Sequence, residues 1–456
     1  MTRKNQIDMT QGPFFKKILV FAVPLMFTGL LQLLYHSADI AVVGRFVGKE
    51  ALAAVGSTGS LVNLFVNLFI GMSMGSGVIT AKHIGEKDDG KTHDCVHTAL
   101  LLSAVSGVVL CLLGFFCSTQ MLKLMKVPSD VIDLASLYLK LYFLGAPALL
   151  VYNFSASVIR ATGDTKSPFI ILSTTGLVNV LLNLFFVIVL HMGVAGVAIP
   201  TVISQTLAAV AAVIYLCRLE GGCRLKIREL RFHKKELLAI LRIGIPAGLQ
   251  NMLFSVSNII IQSNVNSFGS AAMAGIAAGS NFDGYIYTCT NAVAQTTMTF
   301  TSQNIGAKKY ENVGRVYRIC LLCAAVIAIS IEMTGFILSE PITGIFTKDP
   351  AVAQIAVQRM RFIMPFFVFC SLMDVGGCQL RGMGRSVEPM LISLLLACGL
   401  RLVWVFFVLP LNRTLIFLYW SYPLSWGVTF FVMLVFYFVF RKKLPDKNQK
   451  TEAQQA

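Results

Sequence analysis

Apolar stretches long enough to cross a lipid bilayer as helices recur about twelve times along this 456-residue chain. Hydrocarbon offers no water to backbone amides and carbonyls, so each span must satisfy them itself, as a helix or within a closed barrel. Stretches of this length fit helices; barrel strands need only about ten residues. The first half carries them at 16–43, 52–82, 94–117, 131–158, 167–191 and 193–217. The second half carries them at 237–268, 272–304, 315–338, 352–380, 387–409 and 415–441. Charged residues make up only 13% of the chain, where a soluble domain has roughly 25%. The expected class is an all-α polytopic membrane protein with twelve transmembrane helices.

The two halves resemble each other. "ILVFAVP" at 18–24 matches "ILRIGIP" at 240–246, and "ALAAVG" at 51–56 matches "AMAGIA" at 272–277. "IGEKD" at 84–88 matches "IGAKK" at 305–309, "VIDLA" at 131–135 matches "VAQIA" at 352–356, and "RATGDTKSP" at 160–168 matches "RGMGRSVEP" at 381–389. After one extra residue early on, the offset is 221 throughout. Six spans per half give both halves the same orientation, so a pseudo-two-fold axis along the membrane normal should relate two six-helix bundles across a central cavity. That is a transporter architecture. The expected division is an N-lobe at 1–217, a basic cytoplasmic linker at 218–236, a C-lobe at 237–441 and a disordered cytoplasmic tail at 442–456. Pro24 and Pro246 sit at equivalent points of spans one and seven, where a proline bends a helix. They are hinge candidates, with a static kink as the alternative.

The net charge of +16 is not a nucleic-acid footprint, because its distribution follows the membrane. With the N-terminus inside, 28 of the 38 Lys and Arg fall in cytoplasmic pieces, 6 in outer loops and 4 within spans. This positive-inside bias puts both termini in the cytoplasm of a multi-pass protein of the cell (inner) membrane. The cluster at 218–242 reads as a topology anchor touching the inner leaflet. The first apolar run is too long for a cleavable signal peptide. Eleven cysteines, mostly inside spans and without a CxxC pair, read as small apolar core residues rather than a disulfide framework.

Against this background an acid within a span needs a reason. Asp39 lies near the end of span one, where a carboxylate costs up to ~2.5 kcal/mol or more at the helix centre and less toward the interface. Gln32, Tyr35, His36 and Asp39 fall on one helical stripe. Asn179 and Asn183 in span five form an i,i+4 pair of uncharged donors and acceptors. The two stripes could enclose a small polar chamber around one carboxylate, or simply hydrogen-bond the helices together. In the second half Asp374 lies in span ten, at the repeat position of Asn153 in span four. Asp283 and Glu332 lie nearer span ends and read as structural or solvated. Span seven has Ser257 and Asn258 where span one has Tyr35 and His36, and no acid.

Enzyme signals are weak. No GxxxxGK[ST] loop is present, which argues against ATP hydrolysis by this chain. "GMSMGSG" at 71–77 reads as small residues permitting close helix contact. "HDCVH" at 93–97 sets His93 and His97 one turn apart; a zinc site needs further ligands, and a polar helix start is the preferred reading.

At these motifs the sequence resembles the multidrug and toxic compound extrusion (MATE) family. "QLLYHSADIAVVGRFVGKEALAAVG" resembles the family's first-span segment, and "RATGDTKSP" and "LRGMGRSVEPMLIS" resemble the paired segments after spans four and ten. The resemblance covers nearly the whole chain. It implies a non-enzymatic antiporter that exports amphiphilic, often cationic, small molecules in exchange for protons or sodium, without a cofactor. Asp39 matches the family's first-span carboxylate, with Gln32, Tyr35, Tyr138, Asn179 and Thr201 resembling its polar surroundings. Many members carry an aspartate where Asn183 stands here, and Ser255 lies near a span-seven glutamate of some sodium-coupled members. One carboxylate suffices for a proton, whereas sodium wants several oxygens, so proton coupling is preferred and sodium at Asp39 is the sole metal candidate. Asp374 is the second-lobe acid, with Tyr138, Asn153 and Thr201 as further substrate-site candidates. Membrane lipids are expected partners and a monomer the expected state. The competing reading is a lipid-linked oligosaccharide flippase, for which Lys140, Arg359, Arg361 and Arg401 are cations in or near spans. A channel or sensor would not need two matched bundles.

Overall fold

The computed structural model of the protein describes residues 6–125, 127–347 and 349–445. The tail beyond residue 445, and Lys126 and Lys348 among the outer-loop cations, lie outside the described residues. All regular elements among the described residues are helical. The first half comprises α1 (Phe14–Val42), α2 (Lys49–Glu86), α3 (Asp89–Leu124), α4 (Ser129–Leu144), α5 (Ala146–Ala161), α6 (Lys166–Leu184) and α7 (Ala195–Cys217). The second comprises α8 (Lys234–Asn266), α9 (Ser270–Gly306), α10 (Tyr310–Ile337), α11 (Ser339–Phe346) and α12 (Pro350–Gly382). It closes with α13 (Val387–Ile392), α14 (Gly399–Val403), α15 (Leu415–Tyr419) and α16 (Ser421–Lys442).

Among the described residues, ten helical stretches are long and apolar enough to cross a membrane, eleven if the bent pair α4 and α5 is one span. The pair bends by 45° around Gly145 and Pro147; the proline has no N–H to continue the α4 ladder. The stretch predicted at 272–304 is α9, 37 residues long but too polar to count by composition. The polar groups of its second half are mostly covered by protein rather than lipid. Thr290, Thr296, Thr297, Thr301, Gln303 and Asn304 are all buried, and α9 packs on α10 and α12. By contrast, Phe116, Leu322 and Phe407 are 71%, 61% and 73% exposed in the middle of apolar helices. Such surfaces belong against acyl chains.

The internal duplication is written into the backbone. Gly48, Lys87 and Gly163 have φ of 119°, 57° and 96°, and their counterparts 221 residues on, Gly269, Lys308 and Gly384, have 96°, 56° and 82°. A left-handed conformation is costly for lysine, so its recurrence at one repeat position marks a shared helix–turn design. The "RATGDTKSP" motif is such a joint. A side chain on Gly163 would collide with the Ile7 backbone, and the buried Asp164 accepts from the Ser167 amide at 3.0 Å and from Tyr215 Oη at 2.5 Å.

The chain forms two compact units: residues 1–8 with 27–248, and residues 9–26 with 249–456. Helix α1 therefore changes unit two residues after Pro24, and α8 changes unit two residues after Pro246. In the first unit the opening half of α8 lies backbone to backbone on α2. A Cβ on Gly71 would stand 2.1 Å from the Gly248 nitrogen, and one on Gly75 2.4 Å from the Ile240 carbonyl. The glycines of "GMSMGSG" thus permit close helix contact, as expected. In the second unit the opening of α1 is held by Asn304, which donates to the Met9 carbonyl at 2.9 Å, and by an edge-on contact of Phe21 with Phe300. All eleven cysteines are free.

Candidate functional site

Asp39 lies three residues before the end of α1, and the helix runs on into a π-helical turn at Val43–Val47. Asn183 lies one residue before the end of α6, which likewise runs into a π-helical turn at Phe185–Val189. Such turns bulge a helix and often mark working sites. Beyond them Val42, Val43, Val187, Val194 and Val197 form an apolar cluster, with Tyr138 and Leu184 against it. The half-buried acid therefore sits beside an apolar wall in a helical environment, where side chains offer it hydrogen bonds.

Those side chains form a chain of hydrogen bonds. Asn183 Nδ2 donates to Asp39 Oδ1, and lies 3.2 Å from Asn179 Oδ1. Asn179 Nδ2 donates to Thr201 Oγ1 at 3.4 Å, and Thr201 Oγ1 donates to the Val197 carbonyl at 2.9 Å. The Asn179 amide is also 3.2 Å from Asp39 Oδ1. With its oxygen toward the acid, that contact joins two acceptors and is favourable only when a proton on Asp39 lies between them. Turned over, the same amide donates to an ionised Asp39, and its oxygen accepts from the Thr201 backbone N–H at 3.3 Å. In that orientation the Asn179 nitrogen also meets the Asn183 Nδ2 donor at 3.2 Å, so the two orientations are not equivalent.

The other candidates stand around this core. Tyr35 Oη donates to the Ser173 carbonyl at 3.1 Å, tying α1 to α6. Its ring fills the space a side chain at Gly176 would need, 2.0 Å from the ideal Cβ. Tyr138 is within electrostatic reach of Asp39 and stacks on Tyr142. Gln32 and His36 are exposed, outside the hydrogen-bonded chain.

In the second unit Asn291 and Tyr287 of α9 stand near Asp374, whose Oδ2 is buried without a hydrogen bond. Sequence reading missed these two neighbours; the signal was the polarity of α9 itself. Asn153, the repeat counterpart of Asp374, spends its amide on the Leu149 carbonyl of its own helix at 2.8 Å and belongs to the other unit. Asp283 pairs with the buried Arg359 at 2.6 Å. Glu332 is 4% exposed and one of its oxygens has no hydrogen bond.

The family model described as MatE matches this chain twice, over residues 24–185 and 246–407. The matches cover more than half of the chain and are displaced by 222 residues at both ends, from 24 to 246 and from 185 to 407. The chain belongs to the MatE family. It is a membrane transporter of that family and not an enzyme. A similar curated relative is the probable multidrug resistance protein YoeA of Bacillus subtilis, 26% identical over 439 residues, 94% of each chain. Among solved structures, a MOP superfamily transporter from Pyrococcus furiosus superposes with a TM-score of 0.91 at 19% identity, over 98% of this chain and 100% of that one. An outward-facing multidrug resistance MATE family transporter gives 0.89 at 20%, over 97% and 99%. At these identities the structural likeness is one of fold.

Proposed function

We propose that this MatE protein is a secondary antiporter that exports amphiphilic, often cationic, compounds in exchange for protons, by alternating access. Export is supported by the family and by the multidrug resistance names of its relatives. Proton coupling rests on one observation: amides and a hydroxyl surround a single carboxylate, and Asn183 turns nitrogen, not oxygen, toward it. A sodium ion would want that oxygen. Asp39 would carry the proton, Asn179, Asn183 and Thr201 would solvate both of its states, and Tyr35 would hold α1 against α6. Asp374 would attract the cationic part of the substrate. The duplicated sequence supports reading the twelve predicted spans as two six-helix lobes, 1–217 and 237–441, and the positive-inside bias supports cytoplasmic termini.

Commitment of the membrane cations elsewhere favours export over lipid-linked oligosaccharide flipping. Arg359 pairs with Asp283, Arg361 with Glu340, and Arg401 bonds Ser425 and stacks on Tyr422, while Lys140 lies over Phe115. None of these four converges on a shared anion site.

Proteoliposomes separate the coupling ions. An imposed proton gradient should drive export of a fluorescent cation without sodium, and an uncoupler should abolish it. Export that requires a sodium gradient at matched pH contradicts proton coupling.

A further inference from the structure

The structure brings a third polar ligand to the histidine pair of "HDCVH". His93 and His97 lie in the second and third turns of α3, and their rings stack at 3.8 Å. Glu229, from the linker turn Ile227–Glu229, approaches the same spot although 136 residues separate it from His93. One coordinating atom each of His93, His97 and Glu229 lies within 4.8 Å of the others. Cys95 between the histidines points elsewhere, to Thr80 at 3.4 Å.

The protonation pattern suits metal ligation. His97 Nδ1 is 2.7 Å from the His93 carbonyl and can only donate there, so Nε2 carries the lone pair. A carbonyl on Nδ1 is the usual second-shell partner of a metal-bound imidazole. That lone pair now accepts from the Lys226 amide at 3.0 Å, a bond an ion would replace, leaving an N–H of an exposed residue to solvent. His93 Nε2 is buried and stands 2.9 Å from Glu229 Oε2 without the alignment of a hydrogen bond. The ammonium of Lys226 stands 3.0 Å from the other carboxylate oxygen, Glu229 Oε1.

We propose that His93, His97 and Glu229 form a site for a divalent transition-metal ion, zinc best matching the donors, that fastens the inter-repeat linker to α3. Two imidazoles and one carboxylate suit zinc and its borderline neighbours; calcium and magnesium prefer all-oxygen sites. Three protein ligands leave a position for water, as in exchangeable rather than closed structural sites.

The test uses the full-length protein in detergent with its affinity tag removed. Titration with zinc by calorimetry, and with cobalt by its visible absorption, should show one ion per chain with nitrogen and oxygen ligation. Zinc should also raise the melting temperature. Glu229→Gln changes only an exposed linker residue and should weaken binding at least about tenfold, since one ligand charge is lost; His93→Ala should do the same. His191→Asn, on an exposed residue remote in sequence, should bind as the wild type does. Sub-stoichiometric binding, or an affinity unchanged in Glu229→Gln and His93→Ala, would overturn the site.

Discussion

At the residue scale, the two units place their acids in different company. Asp39 is bordered by the neutral amides of Asn183 and Asn179, of which Asn179 has two orientations, whereas Asp283 faces a guanidinium. On the proposed reading, that difference would separate a group that exchanges a proton from a structural pair. Arg359→Ala should therefore lower stability, by less than the ~3–5 kcal/mol of a fully buried pair because Asp283 is only half-buried. The double change Asp283→Asn with Arg359→Gln should recover most of the loss, read from melting in detergent. Asp374→Asn should weaken binding of a cationic dye by about tenfold, the loss of one partly screened charge contact, while export stays gradient-dependent. Unchanged dye affinity would remove Asp374 from the substrate site. Asp39, Asn179 and Asn183 were legible in sequence because polar residues inside apolar stretches are conspicuous. Asn291 and Tyr287 were not, because α9 is polar along its length and no single residue stands out. Glu229 was not legible as a neighbour of His93, because only folding of the linker brings it there.

At the element scale, α1 and α8 each change unit two residues after a proline. A proline removes one backbone hydrogen bond and weakens the helix at one point, so a bend there costs less than elsewhere. Pro24→Ala restores the ladder and should bias α1 toward a straight helix. Bias of about 1.4 kcal/mol slows exchange about tenfold if the bent form is needed. Dye binding should persist while export by everted vesicles falls; unimpaired export would make Pro24 a static kink. Most helices were legible from apolar length alone, as were the proline positions. The exchange of helix halves between units was not, since hydropathy reports what a segment is made of and not which neighbours it packs on. The break between α4 and α5 was signalled by Gly145 and Pro147, but two apolar half-helices read as one continuous stretch.

At the scale of the whole molecule, duplication supplied a common frame and divergence supplied the chemistry. The left-handed joints recur at one offset, and the family model matches both halves. Yet the hydrogen-bonded carboxylate chain of the first unit has no copy in the second, where span seven carries Ser257 and Asn258 and no acid. Antiport needs the cation and the substrate to favour different states of one protein, and coupling of this kind is reciprocal. A titrating Asp39, as proposed, would meet that need, because gain of a proton would exchange a charged acceptor for a neutral donor. Asp39→Asn keeps the side chain's shape and fixes it in a neutral form. The decisive measurement is gradient-driven export of a fluorescent cation by proteoliposomes holding equal amounts of wild-type and Asp39→Asn protein, with dye binding measured on the same preparations. The variant should insert and bind dye but show no export above liposomes without protein. Export at the wild-type rate would contradict the assignment of Asp39 as the coupling group.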